Sequence, residues 1–231
     1  LDHLVKMTCG HSLGEFSALC ASSVISLSDT AKLLKIRGNA MQKAVPKGKG
    51  AMAALISNDF SQLDSLLQEA STNGICEVAN DNSNEQIVVS GEYNAIKKVV
   101  EIASNFSIRK VIELNVSAPF HCSLMKPAQE KLELELENVK FLSPKIPIIC
   151  NYNAKLENDI NLLKQNIIKQ VTNKVRWRET MDLIQSQNIT QIVELGSGKV
   201  LTGIAKRKFS EIDCYNIETE VDLENNLHKF D

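Results

Sequence analysis

Short apolar runs alternate with amphipathic stretches along most of the chain. An apolar run such as 51–56 predicts a buried strand, whereas leucines at helical spacing, as in 60–71, predict a helix with one apolar face. Strands and helices that alternate in this way indicate an α/β protein with a mostly parallel sheet. The predicted strands are 5–9, 51–56, 75–79, 86–90, 109–116, 146–150, 191–195 and 214–217, and the predicted helices are 15–22, 28–45, 60–71, 94–105, 123–138, 160–171, 178–186 and 200–208.

The middle of the chain departs from simple alternation. After the glycine-rich break at 47–50, the predicted order becomes β-α-β-β-α-β, which is typical of a ferredoxin-like unit. The polar segment 80–85 predicts the turn between the two central strands of that unit. We therefore expect a small subdomain, 49–115, inserted into a larger α/β subdomain that consists of 1–48 and 116–231.

The composition argues against several classes of protein. The 231 residues carry 26 basic and 28 acidic side chains, and a net charge of −2 does not suit a general polyanion binder. No window reaches the roughly 18 apolar residues that a membrane-spanning helix needs. Six cysteines without a C-x-x-C pair are typical of reduced thiols rather than of a disulfide framework or a zinc site. We expect a cytosol-like compartment and no bound metal.

A G-x-S-x-G motif at 10–14 is the first candidate for chemistry. It places Ser12 between a predicted strand and a predicted helix, as in the turn that presents a nucleophilic serine. Both glycines are expected to permit close chain approach, and the N–H of Leu13 would face the oxyanion of a tetrahedral intermediate. The alternative is an ordinary glycine-flanked turn.

A nucleophilic serine needs a base, and the chain has four histidines. His3 and His228 lie in the end segments, and the ring of His11 is expected to point away from the serine hydroxyl. His121 remains, just after a predicted strand, with a buried core histidine as the alternative. No acid between Ser12 and His121 stands at an obvious strand end, so a hydrolase triad of the Ser-acid-His type is unsupported.

At this point the residues resemble the malonyl-CoA:acyl carrier protein transacylases. The resemblance is collinear and covers essentially the whole chain. It rests on six segments: Gly10-His11-Ser12-Leu13-Gly14-Glu15-Phe16-Ser17-Ala18; Ile36-Arg37-Gly38-Asn39-Ala40-Met41-Gln42 with 50–54; Asn80-Asp81-Asn82-Ser83 with 86–91; Phe120-His121-Cys122-Ser123-Leu124-Met125-Lys126-Pro127-Ala128; Gln170 with Val175-Arg176-Trp177; and Gly196-Ser197-Gly198-Lys199-Val200-Leu201-Thr202-Gly203.

The resemblance implies a fold and a set of catalytic roles. The large subdomain would be α/β-hydrolase-like, with the ferredoxin-like unit inserted into it. Ser12 would be the nucleophile, His121 its base and the N–H of Leu13 an oxyanion donor. Gln170 would mark the segment that orients the histidine through a neutral carbonyl.

The resemblance also implies a substrate. Arg37 would grip the free carboxylate of a malonyl group, because a guanidinium can form two parallel hydrogen bonds with a carboxylate. An exposed helix face is the alternative place for that arginine. Phe120, directly before the histidine, would be a bulky wall against an α-methyl group, and Leu13 also fits a malonyl unit.

The expected partners are acyl carrier protein and a coenzyme A thioester, without nucleic acid, membrane or cofactor, since malonyl-CoA is a substrate. The resemblance implies an acidic carrier protein of fatty acid synthesis. The basic pair Arg109 and Lys110, together with 206–208, is therefore a candidate docking surface near the mouth of the site, and its alternative is a solvated face. We expect a monomer in the cytoplasm, or in the matrix or stroma of an organelle.

Two departures from the family pattern leave alternatives open. Ser197 stands where the family usually has proline. Nothing matches the family's N-terminal Gly-Gln-Gly-Ser-Gln segment, whose glutamine supplies a second oxyanion donor, so the chain starting at Leu1 is expected to be a fragment or a truncated gene product. The alternatives are a serine thioesterase or hydrolase, and a catalytically impaired fragment that only binds.

Overall fold

The computed structural model describes residues 4–229, so that Leu1 and His3 lie outside the described residues. The chain divides into two compact units between Thr180 and Met181. The predicted subdomain bounds, 49–115 inserted between 1–48 and 116–231, are a different division and stay a prediction.

The described elements follow the predicted order, with two additions, the short strand β7 and the helix α9. The strands are β1 (Thr8–Cys9), β2 (Gly50–Ile56), β3 (Cys76–Ser83), β4 (Gln86–Glu92), β5 (Lys110–Glu113), β6 (Ile148–Ile149), β7 (Leu156–Glu157), β8 (Gln191–Leu195) and β9 (Asp213–Ile217). The helices are α1 (Leu13–Ala21), α2 (Leu27–Ala44), α3 (Leu63–Ala70), α4 (Tyr93–Ile102), α5 (Lys126–Glu137), α6 (Ile160–Lys169), α7 (Trp177–Gln185), α8 (Val200–Lys208) and α9 (Glu220–Asn226).

The βαββαβ segment forms a four-stranded sheet in the order β3-β4-β2-β5. Every neighbouring pair in this sheet is antiparallel, which is the arrangement of a ferredoxin-like unit. The helices α3 and α4 supply apolar side chains to the core that covers one face of the sheet. Its fully buried members include Ala53, Leu55, Leu66, Val89, Ile96 and Val99.

The turn predicted at 80–85 is wrong for most of its length, because β3 continues to Ser83. Three polar residues of this segment, Asn80, Asp81 and Asn82, are buried instead of being exposed in a turn. Asp81 shows how hydrogen bonds make this burial possible. The N–H of Asp81 donates to the carbonyl of Val175 at 2.9 Å, and its carboxylate accepts two hydrogen bonds from Arg178 at 2.9 and 2.8 Å. A bidentate pair of this kind compensates the burial of the carboxylate.

A second core lies around β1, β6 and β7. β1 pairs with β6 in parallel, as predicted, whereas the short β7 pairs with β6 antiparallel. Helices α1, α2, α5 and α6 cover this sheet, with Phe16, Leu19, Leu33, Leu132 and Ile167 fully or almost fully buried. In the second unit, β8 and β9 form a parallel pair.

The start of α2 also differs from the prediction. The helix predicted at 28–45 begins one residue earlier, at Leu27. The N-cap is Ser26, whose hydroxyl accepts a hydrogen bond from the N–H of Asp29 at 3.0 Å.

Candidate active site

Ser12 occupies a strained turn between β1 and α1. Its φ of 54° and ψ of −104° lie in a region that residues with a Cβ rarely adopt. A Cβ on Gly10 would lie 2.1 Å from backbone atoms of Gly14, so glycine is required at position 10. A Cβ on Gly14 would meet nothing within 4 Å, so the expected steric need for the second glycine is wrong.

Asn151, in the segment after β6, holds this turn through two side-chain hydrogen bonds. Its Oδ1 accepts a hydrogen bond from the N–H of Ser12 at 2.7 Å, and its Nδ2 donates to the carbonyl of Gly10 at 2.8 Å. Asn151 is fully buried, so no water competes for these bonds. The strained conformation of Ser12 is therefore held by a side chain that is distant in sequence.

Ser12 and His121 form a hydrogen-bonded pair. The distance between Ser12 Oγ and His121 Nε2 is 2.7 Å, and His121 Nδ1 lies 2.9 Å from the backbone carbonyl oxygen of Gln170. A carbonyl can only accept, so Nδ1 carries the proton and Nε2 is left as the acceptor for the serine proton. Burial, and secondarily the charge of Arg37, lower the pKa of His121 to about 3, so the imidazole is neutral and available as a base.

Arg37 reaches the same point from α2. It is buried, and its Nη2 donates to Ser12 Oγ at 2.9 Å and to Gln170 Oε1 at 3.0 Å. The exposed position considered from the sequence is therefore excluded. Burial lowers its pKa to about 10, which leaves the guanidinium charged at neutral pH. Its buried Nε has no hydrogen-bond partner among the described residues, so the arginine retains donor capacity.

A cavity of about 340 Å³ opens at these groups. The charged or polar groups of Ser12, Arg37 and His121 line it together with an apolar wall. A cavity of this kind, mostly apolar with a few convergent polar groups, is typical of small-molecule sites. The apolar wall consists of Met41, Met52, Leu114, Val116 and Phe120.

His11 also borders the cavity but does not contact the serine hydroxyl. Its Nε2 lies 2.9 Å from Asn82 Oδ1, and its ring packs at 5.4 Å from that of Trp177. Burial lowers its pKa, and the hydrogen bond to Asn82 partly opposes that shift. His11 therefore connects the serine turn to β3 of the small sheet.

Leu13, the expected oxyanion donor, is the first residue of α1 and is exposed. The N–H groups of the first helical turn have no acceptor within the helix. The N–H of Leu13 is therefore left as a donor at the N-terminus of α1, next to Ser12.

Two buried residues of the site have no signal in the sequence pattern. Asn151 is one, and Glu15 is the other, with 1% of its surface exposed. Glu15 Oε2 accepts from Gln170 Nε2 at 2.6 Å and from the N–H of Asn151 at 3.2 Å. Burial raises the pKa of Glu15 to about 7 despite these hydrogen bonds.

The structure separates the predicted docking pair from the cavity. Arg109 and Lys110 are exposed at the start of β5, where Lys110 pairs with Ile56, whereas Leu114 at the other end lines the cavity. Four residues of extended chain span about 13 Å. β5 therefore runs from these residues towards the site, and their role in docking stays a prediction.

Across residues 4–229, no three His, Cys, Asp or Glu side chains come together in a way that could hold a metal ion. Within the same residues, no helix combines the length and the apolar character needed to cross a membrane.

Comparison with known proteins identifies the family. The acyl transferase domain matches residues 6–224, which is almost the whole chain. This chain belongs to the acyl transferase domain family. The serine, histidine and arginine described above all lie within the matched part of the acyl transferase domain.

Curated relatives of this chain carry a more specific name. The malonyl CoA-acyl carrier protein transacylase of Escherichia coli O157:H7 is 37% identical over 201 residues, which cover 87% of this chain and 65% of that protein. The protein of the same name from Staphylococcus aureus (strain MRSA252) is 36% identical over 217 residues, or 94% of this chain and 70% of that protein. The chain thus spans slightly less than two thirds of the length of the Escherichia coli relative.

Solved structures share the fold of this chain. An acyl-carrier-protein-S-malonyltransferase from Bartonella henselae has a TM-score of 0.94 and 43% identity, covering 99% of this chain and 73% of that one. A malonyl-transacylase in complex with its type II PKS acyl-carrier protein has a TM-score of 0.93 and 35% identity, covering 97% and 72%. The predicted fold class, α/β-hydrolase-like with a ferredoxin-like insertion, is confirmed.

Proposed function

We propose that this acyl transferase moves a malonyl group from malonyl-CoA to the phosphopantetheine thiol of acyl carrier protein, through a malonyl ester on Ser12, and so feeds fatty acid synthesis. The names of its relatives support this substrate pair. The observation that carries the proposal is the position of Arg37, a buried cation that donates to Ser12 Oγ at 2.9 Å in an otherwise largely apolar cavity.

The first half-reaction forms the acyl-enzyme. Ser12 Oγ attacks the thioester carbonyl carbon while His121 Nε2, 2.7 Å away, takes its proton. The carbonyl oxygen becomes an oxyanion, which the N–H of Leu13 stabilises. When the tetrahedral intermediate collapses, the carbon–sulfur bond breaks and coenzyme A leaves with the proton held by His121.

The second half-reaction runs in reverse with a different thiol. His121 takes the proton of the carrier-protein thiol, whose sulfur attacks the ester carbonyl of malonyl-Ser12. Collapse of this intermediate breaks the carbon–oxygen bond, and His121 returns the proton to Ser12 Oγ. The product is malonyl-carrier protein, and the enzyme regains its starting state.

A neutral carbonyl behind the histidine suits this reaction. The carbonyl of Gln170 stabilises the imidazolium form of His121 less than a carboxylate would. However, a thiol with a pKa of about 8.5 leaves more readily than an amine and needs less help from a strong acid. The absence of a carboxylate from this hydrogen bond therefore does not argue against acyl transfer between thiols.

Acyl choice is assigned to Arg37 and Phe120. Arg37 lines the cavity as a buried cation, which suits the free carboxylate of a malonyl group. Phe120 lines the same cavity and would oppose a methyl branch at the carbon between the two carbonyls. A plain acyl chain carries no carboxylate for the guanidinium of Arg37, which disfavours the thioesterase alternative.

A product assay tests the transferase against the hydrolase. With malonyl-CoA and acyl carrier protein bearing its phosphopantetheine arm, malonyl-carrier protein should accumulate, and Ser12→Ala should abolish its formation. Without the carrier, little free malonate should appear. Malonate released at the same rate with or without the carrier would favour the hydrolase instead.

We further propose that the protein acts as a monomer in the cytoplasm, or in the matrix or stroma of an organelle, without a cofactor. All six cysteines are free thiols, which suits a reducing compartment.

A further inference from the structure

Glu15 is a buried acid that the proposed mechanism does not use. It lies in the first turn of α1, three residues after the nucleophile, and only 1% of its surface is exposed. A buried carboxylate is costly unless it is hydrogen-bonded or paired with a charge, so its partners indicate what it does in this position.

The partners of Glu15 are the groups that carry the active site. Its Oε2 accepts from the side-chain amide of Gln170 at 2.6 Å and from the N–H of Asn151 at 3.2 Å. Asn151 holds the serine turn, and Gln170 supplies the carbonyl that orients His121. Glu15 therefore contacts both supports of the Ser12–His121 pair without touching either catalytic side chain through a described hydrogen bond.

The amide of Gln170 links Glu15 to Arg37. Its Nε2 donates to Glu15, and also to the carbonyl of Ser12 at 3.0 Å, while its Oε1 accepts from Arg37 Nη2 at 3.0 Å. An ionised carboxylate only accepts and a guanidinium only donates, so these two charges fix which way the amide points. With the amide turned around, a donor would face Arg37 and an acceptor would face Glu15.

On this basis, and resting on the proposed malonyl transfer, we infer that Glu15 is a positioning residue: its carboxylate locks the Gln170 amide, which in turn holds Arg37 against Ser12 for acyl transfer. Loss of the carboxylate frees the amide to rotate. Arg37 then loses one of the two acceptors of its Nη2. The guanidinium that is proposed to bind the acyl carboxylate is thereby displaced from the nucleophile.

The pH dependence of acyl transfer should report this chain of contacts from Glu15 through Gln170 to Arg37. The charged or titratable groups that face Glu15 are Arg37 from α2 and the thiols of Cys9 and Cys150, with His121 on the other side of Gln170. Burial raises the pKa of Glu15 to about 7, and Arg37 opposes that rise only weakly. Below that pH the carboxyl gains a proton and loses acceptor capacity. The hydrogen bond that fixes the orientation of the Gln170 amide therefore weakens.

The first test is Glu15→Gln, which keeps the size of the side chain and removes its charge, compared with Glu69→Gln on the exposed face of α3. The loss of a charge-assisted hydrogen bond should lower kcat for malonyl transfer about five- to tenfold and reduce the preference for malonyl over acetyl. Glu69→Gln should match the wild type. A Glu15→Gln protein within twofold of the wild type in both quantities overturns the inference.

A double-mutant cycle with Gln170→Ala tests whether Glu15 acts through the amide. Gln170→Ala removes the side chain but keeps the backbone carbonyl that binds His121. If Glu15 acts through this chain of contacts, Glu15→Gln should have almost no further effect in the Gln170→Ala protein. Losses that multiply in the double variant would mean that Glu15 acts independently of Gln170, and would overturn the inference.

The pH profile gives a readout that a merely structural residue would not change. In the wild type, kcat/KM should fall below about pH 7, and this acid limb should be absent from Glu15→Gln and also from Gln170→Ala. If Glu15→Gln does not fold, Gln170→Ala alone decides, since an unchanged acid limb in that variant overturns the inference. A wild-type protein that never forms malonyl-Ser12 would instead overturn the proposed function.

Discussion

Arg37 donates a hydrogen bond to the hydroxyl of Ser12, with 2.9 Å between Nη2 and Oγ. The cation that is proposed to bind the carboxylate of the acyl group therefore also contacts the atom that is proposed to receive that group. Because Arg37 is buried, this interaction is only weakly screened by solvent. Under the proposed function, the choice of acyl group would therefore depend on a guanidinium that contacts the nucleophile itself.

Replacement of Arg37 by alanine should reduce the selectivity for malonyl over acetyl. The loss of a charged hydrogen-bond partner costs about 1.5–3 kcal/mol, or about one to two decades in kcat/KM for malonyl-CoA. Acetyl transfer should fall much less. Arg37→Lys keeps the charge without the planar fork and should recover part of the difference. The proposal that Arg37 binds the malonyl carboxylate is refuted if Arg37→Ala retains the wild-type ratio of malonyl to acetyl transfer.

Replacement of Asn151 by alanine should destabilise the fold as well as the serine turn. The change leaves the buried N–H of Ser12 and the carbonyl of Gly10 without their partner, and each unsatisfied group costs about 1–3 kcal/mol. Denaturant unfolding should therefore show a clear loss of unfolding free energy, accompanied by lower transfer activity. Asn138→Ala, at an exposed position after α5, is the control and should have little effect. Equal stability of the two variants would contradict the role given to Asn151.

The parts of the site that could be predicted from sequence are those with local signals. The turn at Ser12 is encoded by a glycine-flanked motif between a strand and a helix, and His121 follows from elimination among four histidines. Arg37, Gln170 and Phe120 entered only through the resemblance to a family. The structure brings all five residues to one region.

The remaining features depend on partners that are distant along the chain. Glu15 and Gln170 are 155 residues apart, and Asn151 contacts the serine turn across 139 residues. No periodicity or turn signal reports such pairs. The same cause explains the error at β3, since the polarity of Asp81 indicated a turn until its pairing with Arg178 and Val175 was known.

The stability of the protein should depend on the protonation of His121. Its pKa is about 3 in the folded protein and about 6.5 when unfolded, so below pH 6.5 only the unfolded chain gains this proton. The contribution is complete above pH 6.5 and is lost as the pH falls towards 3, at about 1.4 kcal/mol per pH unit. Glu15, whose pKa is raised, acts in the opposite direction, so the comparison must isolate His121.

Urea unfolding of the wild type and of His121→Gln at pH 6.5 and pH 5 isolates this contribution. The wild type should lose about 2 kcal/mol more than the variant over this interval. His228→Gln, at an exposed position near the end of the described chain, should retain the wild-type pH dependence. An identical loss in the wild type and His121→Gln would show that His121 is not held neutral by burial.

Charge reversal at Arg109 and Lys110 tests the predicted docking pair. Both side chains are exposed, and the strand that follows them leads to the cavity. If an acidic carrier protein binds there, the double glutamate variant should raise KM for the carrier several-fold and leave KM for malonyl-CoA unchanged. The matched control reverses Lys32 and Lys35 on the exposed face of α2. Equal changes in the two variants, or in both substrates, would place the docking surface elsewhere.

The central claim is that Ser12 carries the malonyl group during transfer. The most direct measurement is mass spectrometry of the peptide that contains Ser12, after brief incubation with malonyl-CoA in the absence of carrier protein. The account predicts a malonyl ester on Ser12 that disappears when carrier protein is added, and that does not form in Ser12→Ala. Transfer of malonyl to the carrier with no adduct on Ser12 at any time would contradict it.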